Sequence, residues 1–285
     1  MRDLEVKFLG GYGHWVGALQ HIQEKSRPDL SYSVMRLSGY LSNPSMPCFQ
    51  VLHQTLCYLY HHPHVPLMYP RDLGNKSADC FHTHVKAGRA ELREPDSFKG
   101  LVQSSDADLA RDLNGRRSTS CVVLEFNGVV FYWGCNKQPS VAPSTNASEI
   151  HAMFKGSKRT IQARRFFQSI GSPIAHPTPI FSDSQTTITQ VFKDRLTPQV
   201  RHLDVMVCWL SEHKTLDAIM PKYINTTKMK ADINTKPFGG ENLQQKFLDL
   251  IGFKYYPPIS SEHFKLLQLE KYNIGVHRGS FRRDI

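Results

Sequence analysis

The stretch TSCVVLEFNGVVFYWG, Thr119 to Gly134, decides how the rest of the chain is read. Two runs rich in β-branched and aromatic residues, Thr119–Phe126 and Val129–Gly134, flank Asn127-Gly128. Asn-Gly between such runs predicts a two-residue hairpin, because both central residues of that turn take positive φ. Working outward, Lys99–Ser104 reads as a short strand before the hairpin. A long helix follows it, capped at Ser144 or Thr145 and running to about Ile170. Its apolar face is Ile150, Met153, Phe154 and Ile161, and Gly171-Ser172-Pro173 ends it. Thr178–Ser182 reads as a strand, Ser184–Lys193 and Pro198 to about His213 as helices, and Leu216–Ile224 as a strand. A short helix over Lys228–Thr235 and a last one over Glu241–Ile251, with Gly252 at its C-cap, complete the order. Three strands, a helix, a strand, helices, a strand and a helix make a mixed α/β domain. Upstream, Gly11–Glu24, Leu30–Leu41 and Pro47–His61 read as helices, with Leu30, Val34, Leu37 and Leu41 on one face. Residues 76–97 carry few large apolar groups and read as a linker, and residues 259–285 as a basic tail.

Composition bounds the function. The chain has 285 residues, 40% of them hydrophobic, which is enough for a real core. No apolar run reaches the roughly 20 residues needed to cross a bilayer, so no membrane partner is expected. Six scattered cysteines without a CxxC pair argue for free thiols. A net charge of +10 favours a polyanionic partner.

Against that basic background, four acids fall at the joints of the pattern. Asp106 is expected to end the first strand, Glu149 lies near the start of the long helix, Asp183 ends a strand, and Asp232 opens the short helix. They are far apart in sequence, so only a fold could gather them. Two carboxylates about 4 Å apart repel by ~4 kcal/mol at an effective dielectric of 20. Converging acids therefore imply divalent cations, and hard oxygen donors without nearby Cys or His select Mg²⁺ or Mn²⁺. Two such ions can serve an in-line phosphodiester displacement. Taken one by one, each acid also has a plain reading: Asp183 as the cap of the following helix, Asp232 as a complement to a helix dipole, Asp106 as a turn residue, Glu149 as a solvated helix residue.

The order of the short motifs adds to this. Ser105-Asp106-Ala107-Asp108, Arg117-Ser118-Thr119-Ser120, Asn136-Lys137-Gln138 with Val141-Ala142, Ser144-Thr145 with Glu149-Ile150-His151-Ala152, Ser182-Asp183-Ser184, Arg201-His202-Leu203-Asp204-Val205 and Ala231-Asp232-Ile233-Asn234-Thr235-Lys236-Pro237 occur in that sequence. Together they resemble the ribonuclease H domain at the end of a copia-type retrotransposon Pol polyprotein. Upstream, Tyr12–Leu19, Arg27-Pro28-Asp29-Leu30 and Leu37–Pro44 resemble the segment after the polymerase palm. The resemblance implies a ribonuclease H-like mixed sheet over 98–258: three antiparallel strands, then two more, flanked by helices. Before it, 1–75 would be a helical thumb or connection segment of a reverse transcriptase. It implies catalytic and metal-holding roles for Asp106, Glu149, Asp183 and Asp232, two Mg²⁺ or Mn²⁺ ions, and hydrolysis of the RNA strand of an RNA–DNA hybrid. Ser184, Asn136, Lys137 and Gln138 are expected to touch the nucleic-acid backbone, while Asp204 holds its helix in place. A reverse-transcriptase portion of a longer polyprotein is the implied protein partner. The implied location is cytoplasmic, as in a virus-like particle, with access to the nucleus.

The sequence departs from the family pattern in several places. Leu109 replaces a usual Trp, Arg111 a usual Gly, Cys121 a usual Gly, Pro143 a Leu, and Asn146 the first Glu of Thr-Glu-Ala-Glu. No Tyr-x-Asp-Asp palm motif is present, so polymerisation is not expected of this chain. The competing reading is an inactive retroelement remnant that only binds nucleic acid. A third is a nuclease of the same superfamily acting on DNA. Cys80, His82 and His84, with His61, His62 and His64, match no standard zinc spacing. Gly10–Gly13 reads as a flexible turn, and Phe166, Phe167 and Trp209 as core residues rather than base-stacking platforms.

Overall fold

The computed structural model describes residues 11–61, 100–110, 112, 115–193 and 203–235. The proposed linker, the Cys80–His84 cluster, the helix over 241–251 and the tail lie outside these residues, as do the side chains of His61 and Ile233.

Among the described residues, three helices precede the sheet: α1 (Gly11–Lys25), α2 (Ser31–Ser38) and α3 (Met46–His61), with a 3₁₀ turn at Pro28–Leu30. Gly11–Gly13, read above as a flexible turn, opens α1 instead. Helix α2 stops three residues short of the expected Leu41. Leu30, Val34 and Leu37 are buried against Tyr12, Leu19 and Phe49 as the stripe requires, whereas Leu41 is 47% exposed. Between α1 and α2 a buried ion pair, Arg27–Asp29 at 2.6 Å, lies beneath the Tyr58 ring.

The second unit is one five-stranded sheet: β1 (Leu101–Asp108), β2 (Thr119–Phe126), β3 (Val129–Lys137), β4 (Thr178–Ser182) and β5 (Ile219–Tyr223), in the order β3-β2-β1-β4-β5. β1, β2 and β3 pair antiparallel, while β4 lies parallel to β1 and β5 parallel to β4. The hairpin is where Asn127-Gly128 put it, with Phe126 facing Val129 and φ of 52° and 79° at the two turn residues. β1 runs four residues past the expected end, so Asp106 is an interior strand residue opposite Cys121. The polar run Gln103-Ser104-Ser105-Asp106 hides a strand that is buried along almost its whole length.

α4 (Thr145–Ser169) packs along β1 and β2, capped by the Ser144 hydroxyl, which accepts from Ala147 N–H at 3.2 Å. Gly156 marks its closest approach to β1, since a methyl group there would run into the amide of Gln103. Gln103 is itself buried and accepts from Thr160 Oγ1 at 2.7 Å. α5 (Gln185–Phe192) and α6 (Asp204–Thr215) close the α4 side around Met153, Ile180, Val191, Leu210 and Ile219. Asp204 stands exposed in the first turn of α6, where a negative charge complements the helix dipole. Phe166 departs from the core reading and is 60% exposed, whereas Trp209 packs edge-on against Phe154.

In place of a short helix over Lys228–Thr235 the chain makes two 3₁₀ turns, Thr226–Lys228 and Lys230–Asn234. The second lies against β1 and β2 and is pinned by Lys230 to the buried Glu125 at 2.8 Å. The helical unit joins the sheet through β3, where Trp133 Nε1 donates to the carbonyl of Gln23 at 2.9 Å. Among the described residues no helix is long and apolar enough to cross a membrane.

Candidate active site

β1 and β4 are adjacent and parallel, so Asp106 near the end of one and Asp183 just past the end of the other come to the same edge of the sheet. Glu149 reaches that edge from the second turn of α4. Carboxylate oxygens of Asp106, Glu149 and Asp183 all lie within 4.8 Å of one another. Asp232 lines the same cleft, of about 390 Å³, from the second 3₁₀ turn. Four acids spread over more than a hundred positions of the sequence therefore share one concavity.

The local sequence explains how each is held. Asp183 does not cap α5; Ser184 does, accepting from Thr187 N–H at 3.3 Å, which leaves the Asp183 carboxylate facing the cleft. Asp183 Oδ2 instead accepts from Thr226 Oγ1 at 2.9 Å. Thr235 Oγ1 lies 2.9 Å from Asp106 Oδ2 and 3.3 Å from Asp232 Oδ1, tying the first acid to the last. Glu149 Oε1 accepts from the backbone N–H of Ala107 at 3.3 Å, and its Oε2 is buried with no hydrogen-bond partner among the described residues. Burial, then the charges of Asp106 and Asp183, push the Glu149 carboxyl up from its ordinary 4.5 to about 9.

Thr226 and Thr235 were not singled out from sequence. The signal for Thr235 was there: in a tight turn, Asp232 and a hydroxyl three residues later fall on one face. Nothing local pointed Thr226 at Asp183, 43 positions away.

The expected backbone-contacting residues divide. Ser184 lines the cleft, but its hydroxyl is engaged as the α5 cap. Asn136 is exposed at the end of β3, at the same end of the sheet as the acids. Lys137 is partly exposed and paired with Asp112 at 2.8 Å. Gln138 points inward: it is buried, and its amide donates to Ser120 Oγ at 2.8 Å and the Ser148 carbonyl at 3.0 Å. Asn146, standing where the family pattern has Glu, bridges α4 to α5 by donating to Gln190 and accepting from Thr187.

The donors fit a divalent cation. They are oxygen-only, they crowd negative charge, and they leave a buried carboxylate oxygen without a donor, a combination a hard cation relieves. The sign of the pH effect follows. Without metal, folded Glu149 holds its proton up to about pH 9 while the unfolded chain loses it near 4.5. Stability should therefore decline across that window, by at most ~1.4 kcal/mol per pH unit. Melting in chelator from pH 5 to 9 is expected to fall more steeply for the natural chain than for Glu149→Gln, the variant being the more stable at pH 9. Millimolar Mg²⁺ should raise the natural chain's melting point and leave the variant's nearly unmoved. Parallel pH profiles for the two would refute this account of the cluster.

Relatives bear on this geometry. No family model matches the chain. It is 31% identical over 154 residues to the Secreted RxLR effector protein 161 of Plasmopara viticola, covering 53% of this chain and 92% of that one. It is 26% identical over 225 residues, 79% of its length, to the Retrovirus-related Pol polyprotein from transposon TNT 1-94 of Nicotiana tabacum. A second Pol polyprotein, from transposon RE2 of Arabidopsis thaliana, is 24% identical over 243 residues, 85% of this chain. The chain belongs to the copia-type retrotransposon Pol family. It spans about 15% of the length of these two Pol polyproteins. Among solved structures, the N-terminal RNase H domain of Rv2228c from Mycobacterium tuberculosis matches with a TM-score of 0.35 at 11% identity, over 52% of this chain and 96% of that one. LC11-RNase H1, isolated from compost, matches with a TM-score of 0.37 at 13% identity, over 48% and 93%. Within the copia-type Pol family, the mixed sheet described above is ribonuclease H-like, as the motif order led one to expect.

Proposed function

We propose that this copia-type Pol chain is a ribonuclease H that hydrolyses the RNA strand of an RNA–DNA hybrid. The observation that carries the proposal is the meeting of Asp106, Glu149 and Asp183 within 4.8 Å, with Asp232 beside them, at one edge of a ribonuclease H-like sheet. In this reading the four acids hold two Mg²⁺ or Mn²⁺ ions. Bound there, the ions supply activation of a water and stabilisation of the leaving oxygen at a phosphodiester.

The chain's own residues do the rest. Thr235 holds Asp106 and Asp232 in register, and Thr226 fixes Asp183, so the carboxylates are oriented before substrate arrives. Glu149, buried and protonated without metal, gives up its proton as cations bind, so affinity rises with pH below about 9. The net charge of +10 attracts the phosphate backbone, and selection for the hybrid rests on minor-groove shape and 2′-hydroxyls rather than sequence. Asn136 and Lys137 lie at the end of the sheet where that backbone would pass. The helical residues before 75 act as the connection to a reverse-transcriptase portion, 76–97 as the linker, 98–258 as the nuclease and 259–285 as a basic tail. In this reading the chain works in the cytoplasm, within a virus-like particle, with access to the nucleus.

The test is direct. The purified chain is incubated with labelled RNA–DNA hybrid, RNA duplex and DNA duplex in Mg²⁺. Cleavage of the hybrid's RNA strand alone is the expected result. Binding without cleavage would favour the remnant that only binds nucleic acid, and equal cutting of duplex DNA would favour a DNA nuclease.

A further inference from the structure

Cys121 and Cys135 face one another directly across β2 and β3. Both thiols donate to a single acceptor, the backbone carbonyl of Asn234, each over 2.9 Å. Asn234 ends the 3₁₀ turn that carries Asp232 and leads into Thr235, so two sulfurs on the sheet grip the segment supplying one acid and the hydroxyl that ties it to Asp106. Directly opposed residues of an antiparallel pair have Cα atoms roughly 4.5–5.5 Å apart. That lies inside the range of roughly 4.4–6.8 Å found across disulfides. Two sulfurs converging on one oxygen also lie side by side on the same face of the sheet. Cys121 is fully buried, whereas Cys135 is only partly so. Burial pushes the Cys121 thiol up, which keeps its proton available for Asn234.

We propose that Cys121 and Cys135 are a redox-responsive thiol pair, oxidised by a small-molecule disulfide, and that their oxidation loosens the turn bearing Asp232. The exchange runs in two steps. Cys135, as its thiolate, attacks one sulfur of the reagent; the reagent's S–S bond breaks and one thiolate leaves. Cys121 then gives up its proton and attacks Cys135 Sγ, breaking the mixed disulfide and expelling the second thiolate. Two protein thiols are oxidised, the reagent is reduced to two thiols, and these carry away both protons. The carbonyl of Asn234, a residue 1% exposed, loses both thiol donors at once. Its side-chain Nδ2 has no hydrogen-bond partner among the described residues, so the side chain does not replace that hold.

The meaning for activity rests on the proposed nuclease reading, but the chemistry does not. The full-length chain is equilibrated in chelator with reduced and oxidised glutathione, then analysed by peptide mapping and hydrogen exchange. The expected result is a monomer lighter by two hydrogens, with a Cys121–Cys135 linked peptide that dithiothreitol reverses. Exchange at 231–235 should rise by about tenfold. Cys135→Ser, a partly exposed site where a hydroxyl can still donate to Asn234, should form no such link and show exchange that ignores the oxidant. Separate alkylation of Cys121 and Cys135 after oxidation would overturn the proposal. So would a linked pair with unchanged exchange at 231–235. Neither readout uses hybrid cleavage, so a failure here is distinct from a failure of the nuclease assignment.

Discussion

If the chain is the ribonuclease H proposed above, Asp183→Asn is expected to lower hybrid cleavage by roughly a thousandfold or more while leaving the melting point in chelator within a few degrees of the natural chain. The substitution is isosteric, and the structural work at that corner falls to Ser184, which caps α5 without help from Asp183. An Asn side-chain oxygen can still accept from Thr226. What is lost is one negative charge from a group of carboxylates crowded within 4.8 Å, and with it the affinity for a hard cation. Calorimetry with Mg²⁺ should show the same loss, and nucleic-acid binding at low salt should persist because it draws on the chain's positive charge. Cleavage surviving within about fivefold would refute the assignment of Asp183 to the site.

Arg27→Ala is expected to cost about 3–5 kcal/mol of stability, the usual penalty for removing one partner of a buried ion pair. Arg27 Nε bonds both Asp29 oxygens, at 2.9 and 3.1 Å, Nη2 bonds one at 2.6 Å, and the guanidinium lies 5.5 Å from the centre of the Tyr58 ring. Alanine would leave the Asp29 carboxylate buried between α1 and α2 without its cation. Urea unfolding followed by tryptophan fluorescence measures the cost. The double variant Arg27→Met with Asp29→Leu should recover most of it, since it removes both charges together. A loss below about 1 kcal/mol for Arg27→Ala would show that the pair is solvated in solution.

Legibility followed locality. The hairpin at Asn127-Gly128, the Ser144 cap and the strand Thr178–Ser182 could be read from a few adjacent residues, because turn geometry, capping and alternation are short-range. β1 runs past its expected end at Ser104 because the polar residues Ser105, Asp106 and Asp108 give no apolar alternation by which to follow the strand. Inside the sheet Gln103 is partnered by Thr160, whereas Ser105 Oγ is buried with no hydrogen-bond partner among the described residues. The resemblance puts Gln138 on the nucleic-acid backbone, yet the fold turns it inward onto Ser120 and Ser148.

By itself the sequence determined the order of elements, the hairpin, the basic charge and the identity of four acids whose positions follow a family pattern. Only the tertiary structure decided that Asp106, Glu149 and Asp183 meet, that Thr226 and Thr235 orient the cluster, and that Cys121 and Cys135 grip Asn234. These are pairings across 34 to 129 positions set by strand order and register. No local preference encodes such distances; they exist only once the sheet brings its edges together.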